Sequence, residues 1–494
     1  MKPWTLAGSA ALSALVAACP ALADVTPEEV WQNWQDFYAS SGSTVSHASA
    51  ERDGDTLVVT DFKASVQNEA GTSETSIPEI RLRDTGDGAV EITLSDEIAF
   101  SSSGPAKGEG AAFAASGTVK VPGLTGTVSG AAGDMTYTVS APSVELEILP
   151  TEDGKPAGKV GVLLSSVQST SRVSGPAEAS VVDGTFNAAS AALNIDVQDD
   201  KTGMTGSVNM ADLAGKIAGN FAGLEEEEVS KALALGFALD SALSFGALNY
   251  DFDITDETGA SKLVGGSEGG ALQVAMDAAR LMFAGSGKAV TATMSGAQIP
   301  FPELKLSYAE SGFNLTMPVS KAEAPQDFTF LSKIVDLQVS EELWAMVDPM
   351  GSLPHDPATL VIDTAGKVLL KSDLMSTPED APPDAELHAL DIRDVTARIA
   401  GSELTGSGAF TFDNSDLTTF QGIPAPTGKM ELKLVGGNTL LDKLVAMGLI
   451  GEEEAMGARM MVAMFAKAVE GEDTLTSVLE FKDKHFYANG QQLQ

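Results

Sequence analysis

The run Leu304-Lys305-Leu306-Ser307-Tyr308-Ala309-Glu310-Ser311-Gly312-Phe313-Asn314-Leu315-Thr316-Met317 decides the fold class. Apolar and polar side chains alternate through 304–308, break at Glu310-Ser311-Gly312, and alternate again through 313–317. Alternation of period two marks a strand with one apolar face, and a short glycine-containing break between two such runs reads as a hairpin. The expectation is an antiparallel hairpin with Leu304, Leu306, Phe313 and Leu315 on a common apolar face.

The same rhythm extends in both directions. Thr56-Leu57-Val58-Val59-Thr60 follows the turn pair Asp53-Gly54, and Ile80-Arg81-Leu82 and Val90-Glu91-Ile92-Thr93-Leu94 flank Asp87-Gly88. Leu193, Ile195 and Val197 alternate with Asn194, Asp196 and Gln198, and Tyr250, Phe252 and Ile254 with Asn249, Asp251 and Asp253. An apolar-Thr-Gly-Thr/Ser core recurs at Leu124-Thr125-Gly126-Thr127, Met204-Thr205-Gly206-Ser207 and Leu404-Thr405-Gly406-Ser407, as in a sheet extended by similar units. A composition 43% hydrophobic but 6% aromatic, with 49 glycines, suits many small-residue strands better than an aromatic cleft.

Helices punctuate the strands. Thr26-Pro27-Glu28-Glu29 carries an N-cap, a first-turn proline and a capping-box glutamate, and Val30, Trp31, Trp34, Phe37 and Tyr38 follow at helical spacing. That helix is expected to cap the sheet. Glu225 to Glu228 precede Val229, Leu233, Phe237 and Leu243, predicting a middle helix over residues 224–242. A short one starts at Ser340 and ends at Asp348-Pro349. The tail predicts a helical hairpin from Asn438 to Val469, capped by Asn438 and divided at Gly451, then two strands from Thr474 to Asn489. Its second helix carries Met456, Met460, Met461 and Met464, which suit a forgiving core, the expected reading, or a greasy ligand.

Residues 1–23 read as a signal peptide, with Lys2, an apolar run from Leu6 to Ala18, and Ala21-Leu22-Ala23 before a cleavage site at Asp24. The expected location is the periplasm. Val16-Ala17-Ala18-Cys19 resembles a lipobox, so the alternatives are a lipoprotein anchored through Cys19, the single cysteine, or an extracellular protein. Cleavage after Ala23 leaves no thiol for disulfides or catalysis. With 69 acidic against 30 basic residues and a net charge of −39, the surface repels nucleic acid and anionic head groups. No later stretch reaches membrane-spanning length. The expected organisation is a β-rich body with capping helices over 24–377, a Pro/acidic loop or linker over 378–386, and C-terminal strands with the helical hairpin over 387–494.

Several landmarks combine into a resemblance: Asp24-Val25-Thr26 with Val30-Trp31-Gln32, Ile299-Pro300-Phe301-Pro302, Leu315-Thr316-Met317-Pro318-Val319, Phe410-Thr411-Phe412-Asp413-Asn414 and Asn489-Gly490-Gln491. Across the mature chain they resemble an uncharacterised family of exported proteobacterial proteins, a domain of unknown function. The chain is also distantly similar to AsmA-like periplasmic β proteins. That likeness implies a role in envelope or lipid homeostasis; the family supplies no catalytic residues.

Reactive motifs are weak. Gly265-Gly266-Ser267-Glu268-Gly269 matches a nucleophile-elbow pattern, but Ser267 sits among antiparallel-type strands, so a hydrolase using Ser267 with His355 or His388 is the disfavoured alternative. Gly285-Ser286-Gly287-Lys288 lacks the remaining phosphate-loop residues. His47, His355, His388 and His485 show no ligand spacing, and Asn249, Asp251, Asp253 and Asp256 lack the glycine and terminal glutamate of a calcium loop. No catalytic residue, metal or cofactor is assigned. The expected fold is mainly β with some α, an extended or curved, largely antiparallel sheet capped by N-terminal, middle and C-terminal helices. The expected function is non-enzymatic envelope binding or scaffolding with a lipid or other apolar ligand on Leu304, Leu306, Phe313, Leu315, Met460 and Met464. A secreted structural or adhesive β protein is the competing reading.

Overall fold

Long alternating runs cannot bury their apolar side chains alone, so each strand lies beside the next one in the chain. In this computed structural model, which describes residues 24–493 apart from 41, 69–70, 105–112, 199–201, 224–227 and 377–382, strand makes up 64% and helix 13%. The expected mainly β fold is therefore the observed one, and the strand pairings described are antiparallel. Residues 1–23 (the expected signal peptide, with Cys19), the acidic residues 225–227 and the proline-rich stretch 378–382 lie outside the described residues. Helices are α1 (Pro27–Ser40), α2 (Val229–Leu235), α3 (Glu341–Val347), α4 (Gly437–Ala446) and α5 (Glu452–Phe465). None of them is long and apolar enough to cross a membrane.

Contacts divide the chain into two units, Met1–Gly269 with Ser295–Pro300, and Gly270–Met294 with Phe301–Gln494. The first is a meander whose longest strands, Asp134–Glu152, Gly158–Ser174, Val181–Gln198 and Gly203–Asn220, pair in chain order. It has a dry core. Phe62, Ile80, Leu82, Val59 and Val128 are fully buried, and α1 closes over them through Val30 and Trp31. The capping box forms as the sequence predicts: the Glu29 amide donates to Thr26 Oγ1 at 3.3 Å, and the Thr26 amide to Glu29 Oε2 at 2.9 Å. Trp34 Nε1 donates to Tyr137 Oη, whose hydroxyl donates to Asn33 Oδ1 at 2.7 Å.

These strands are too long to keep one register of faces without correction, and single left-handed residues supply it. In Thr56–Asn68 the buried positions run Leu57, Val59, then Phe62, Ala64; Asp61, at φ 50°, stands at the switch. Ser166 (φ 53°) precedes buried Val167, and Asp212 (φ 52°) separates Met210 from Leu213 in the same way. One left-handed residue rotates the strand so that the opposite parity faces inward.

The second unit repeats the device, and this corrects the hairpin expectation. Residues 304–318 form one continuous strand, Leu304–Pro318, paired along its length with Arg280–Gly296 on one side and Gln326–Val339 on the other. Glu310-Ser311-Gly312 makes no turn; Glu310 takes a 2.6 Å bond from Lys333 Nζ on the neighbouring strand. Ala289 (φ 48°) and Asp336 (φ 55°) lie in the flanking strands at that level. The change of parity between Tyr308 and Phe313 is thus a rotation within the sheet.

Two other expectations change. The helix expected over residues 224–242 is only α2: Gly236, left-handed at φ 104°, ends it, and Phe237 N returns to Ala232 O. Phe237 leads out into the strand Ala238–Phe245, which holds Leu243. Asn438 does not cap the tail hairpin from the N-cap position; Gly436 occupies it, and the Asp473 carboxylate supplies the acceptor. The closing strands Thr474–Lys482 and His485–Ala488 match their prediction.

Candidate functional site

Antiparallel partners share a face, so the register of the second unit identifies every side chain on each side of its sheet. One row reads Phe283, Leu315, Phe330, Thr364, Ile392, Gly408, Met430, Leu479. Two residues along the strands, the next reads Gly285, Phe313, Ser332, Ile362, Val395, Gly406, Leu432, Ser477. The rows on either side contain Phe328, Gly366, Leu390, Phe410 and Phe481, and Ile334, Leu360, Leu404, Leu434 and Leu475. Four rows over eight strands hold no charged residue. With strands about 4.8 Å apart and rows about 6.7 Å apart, the face measures roughly 34 by 20 Å.

Glycine lets this face cover part of itself. A Cβ on Gly366 would stand 2.6 Å from Phe328 Cε1, and one on Gly406 2.5 Å from Leu432 Cδ2. The large side chain of one strand therefore lies flat on the glycine of the next. All three glycines of the apolar-Thr-Gly repeat do this: Gly126 under Ile92, Gly206 under Phe252 and Gly406 under Leu432. The repeat has a packing cause.

The face is open at two places, in its second strand and in one outer row. Phe313 is 44% exposed and Leu360 47%. At the C-terminal end α5 covers it: Ser477 Oγ donates to Phe465 O at 2.5 Å, and the Phe465 and Phe486 rings are 6.3 Å apart. The opposite side of the sheet is polar, with Arg393 to Asp363, Arg398 to Asp336 and Lys429 to Glu431 paired across it. An open cleft of about 460 Å³ there is lined by Thr396, Thr405, Glu431, Lys433 and Thr476. Hydrogen bonding from Lys429 holds the Glu431 carboxyl below its ordinary range.

The sequence-predicted residues separate into two groups. Phe313 and Leu315 lie on the apolar face, directly opposite Ser332 and Phe330, while Leu304 and Leu306 pair with Met294 and Val339 beyond the level of Ala289. Met460 and Met464 belong to α5, which packs on Thr474–Lys482, six strands from Leu304–Pro318 and so about 29 Å along the sheet. The α5 methionines are not core: Met456, Met460, Met461 and Met464 are 61–64% exposed, because the helix is anchored through Ala455 and Phe465. Leu360, Ile362, Val395 and Leu432 were missed; only register reveals that their separate strands share one face.

Ser267 ends the antiparallel strand Gly259–Ser267 opposite Leu248, in the first unit, whereas His355 and His388 belong to the second. His355 stacks on Trp344 at 4.4 Å, with Nδ1 2.8 Å from Glu341. Burial would raise the Asp348 carboxyl, but amides of Leu353, Ser352 and Met350 outweigh it and hold it low. Asp251 and Asp253 are bonded by Lys262, and Asp256 by Thr258 and Gly259. Among the described residues no His/Cys/Asp/Glu group has metal-site geometry.

No curated protein and no solved structure matches this chain. The span that matches a family excludes the landmark at Asp24-Val25-Thr26 and takes in all eight strands of the apolar face. Residues 251–489 match the family model described as an uncharacterized protein conserved in bacteria (DUF2125).

Proposed function

We propose that this protein is an exported, non-enzymatic envelope protein that holds diacyl lipid on the apolar face of its second unit. The observation that carries the reading is the charge-free face with large apolar side chains left uncovered on it at Phe313 and Leu360. Domain sheets normally bury such a face against a second layer. A monomer seldom exposes more than a few hundred Å² of contiguous apolar surface without a use for it.

Magnitudes select the ligand. An acyl chain spans about half of a 30 Å hydrocarbon layer, within the roughly 20 Å width of the face. A methylene gains about 0.8 kcal/mol on full burial and about half that on an open face, so one chain binds marginally and two bind usefully. The net charge of −39 disfavours anionic head groups, leaving neutral or zwitterionic ones. The apolar run from Leu6 to Ala18 with Ala21-Leu22-Ala23 supports export to the periplasm, with lipidation at Cys19 as the alternative route.

Native mass spectrometry of protein isolated from the periplasm tests the reading. Diacyl lipid should co-purify with the wild type and be lost from a Phe313→Asp, Leu360→Asp double variant. A lipid-free wild type that dimerises through this face would instead make it a structural sheet layer.

A further inference from the structure

We infer that the α4–α5 hairpin is a hinged cover over the C-terminal end of the apolar face, latched by Asp473 at one end and by Ser477 and Asn489 at the other. At the α4 end, Asp473 Oδ2 accepts from Thr439 N at 2.8 Å and from Thr439 Oγ1 at 2.7 Å, while Oδ1 accepts from Asn438 N and Nδ2. Gly436 N donates to Asp473 O at 2.8 Å. At the α5 end, Ser477 Oγ and Asn489 Nδ2 both donate to Phe465 O, at 2.5 and 2.8 Å.

Between these latches little holds the hairpin down. Across its 10- and 14-residue helices only Ala455 is fully buried. Isolated helices of this length are marginal in water, so their order depends on the bonds at their ends. A left-handed glycine, Gly436 at φ 73°, stands where the segment leaves the sheet, and the chain rejoins it directly after α5, where Lys467–Ala468 pairs with Thr474–Lys482. Both latches grip the same strand, Thr474–Lys482, or residues beside it. Releasing them frees the hairpin without breaking a strand pair. Segments with few apolar contacts and exposed end bonds open far below the global unfolding free energy.

That the cover regulates lipid access rests on the lipid reading; the hinge itself does not. Hydrogen exchange of the full chain, without ligand, reads the hinge. Asp473→Ala should speed exchange of the α4–α5 amides at least tenfold while amides of Ser402–Asp413 keep the wild-type rate. Release of a zwitterionic diacyl phospholipid carrying a fluorescent acyl chain should accelerate by a similar factor. Should Asp473→Ala accelerate strand amides too, Ser477→Ala, which removes only a bond at the far latch, gives the same reading. Unchanged α4–α5 exchange in both variants overturns the cover. Faster exchange in a protein whose wild type does not bind the zwitterionic diacyl phospholipid keeps the hinge and removes the lipid reading.

Discussion

Alanine at Phe313 should cost this protein far less than alanine at Phe62, although both are phenylalanines in long antiparallel strands. Phe62 has no exposed surface and meets Trp31 edge-on at 5.6 Å and Tyr38 at 5.5 Å. Truncating it removes the transfer free energy and leaves a cavity, about 3–5 kcal/mol. Phe313, 44% exposed, has a little over half its surface covered. Full burial of such a side chain is worth about 1.5–3 kcal/mol, and a site open to water leaves no cavity, so about 1 kcal/mol is expected. Urea denaturation followed by tryptophan fluorescence separates the effects, since Trp31 and Trp34 report on the first unit and Trp344 on the second. Each unit is fitted with its own transition, because a chain of two units need not unfold in one step. A loss of 3 kcal/mol or more for Phe313→Ala would mean that something in the folded protein covers this ring. The open face, and the lipid reading built on it, would then be wrong.

Glycine positions test the flat-lying side chains. Gly366→Ala would push a Cβ against Phe328 Cε1 and the Ala389 carbonyl oxygen, and should cost about 1–3 kcal/mol in thermal or urea unfolding, whereas Gly406→Ala meets the flexible ends of Leu432 and Met430 and should cost less. Burial pushes the Tyr137 phenol up to about 12. A raised pKa in the fold gives stability that is complete below the unfolded value near 10 and is lost as pH rises toward 12, so alkaline absorbance titration should show one tyrosine ionising late. Tyr137→Phe should cost about 1–2 kcal/mol by leaving Trp34 Nε1 and Asn33 unpaired. Asp416 is held low by hydrogen bonds from Lys484 and Thr419. A depressed carboxyl contributes above its unfolded value near 3.9 and loses that contribution as pH falls, so carboxyl NMR should show Lys484→Ala moving its titration upward.

The alternation around Leu304 and Phe313 was legible because period two is written directly in the side chains, and so were α1 and the closing strands. The break between them was not. A hairpin turn and a left-handed residue in a neighbouring strand both shift apolar parity by one, and they leave the same trace in the strand that carries the shift. Typical strands run five or six residues, which favoured the turn; strands of 12 to 19 residues fall outside that expectation. The information lay in other strands, at Ala289 and Asp336, and could be used only once the pairing was known. Aspartate at three of these switches, Asp61, Asp212 and Asp336, is the local signal that was available, since aspartate tolerates the left-handed region better than branched residues. The same limit hid the apolar face. Leu360 and Leu432 are ordinary strand leucines in one dimension, and become a charge-free surface only because register sets them beside Val395 and Gly406. Charge supplies the decisive contrast: if packing alone had shaped this sheet, an uncovered face would carry the solubilising residues that its reverse side carries at Arg393, Arg398 and Lys433. Their absence from four successive rows is what the proposed apolar occupant would require.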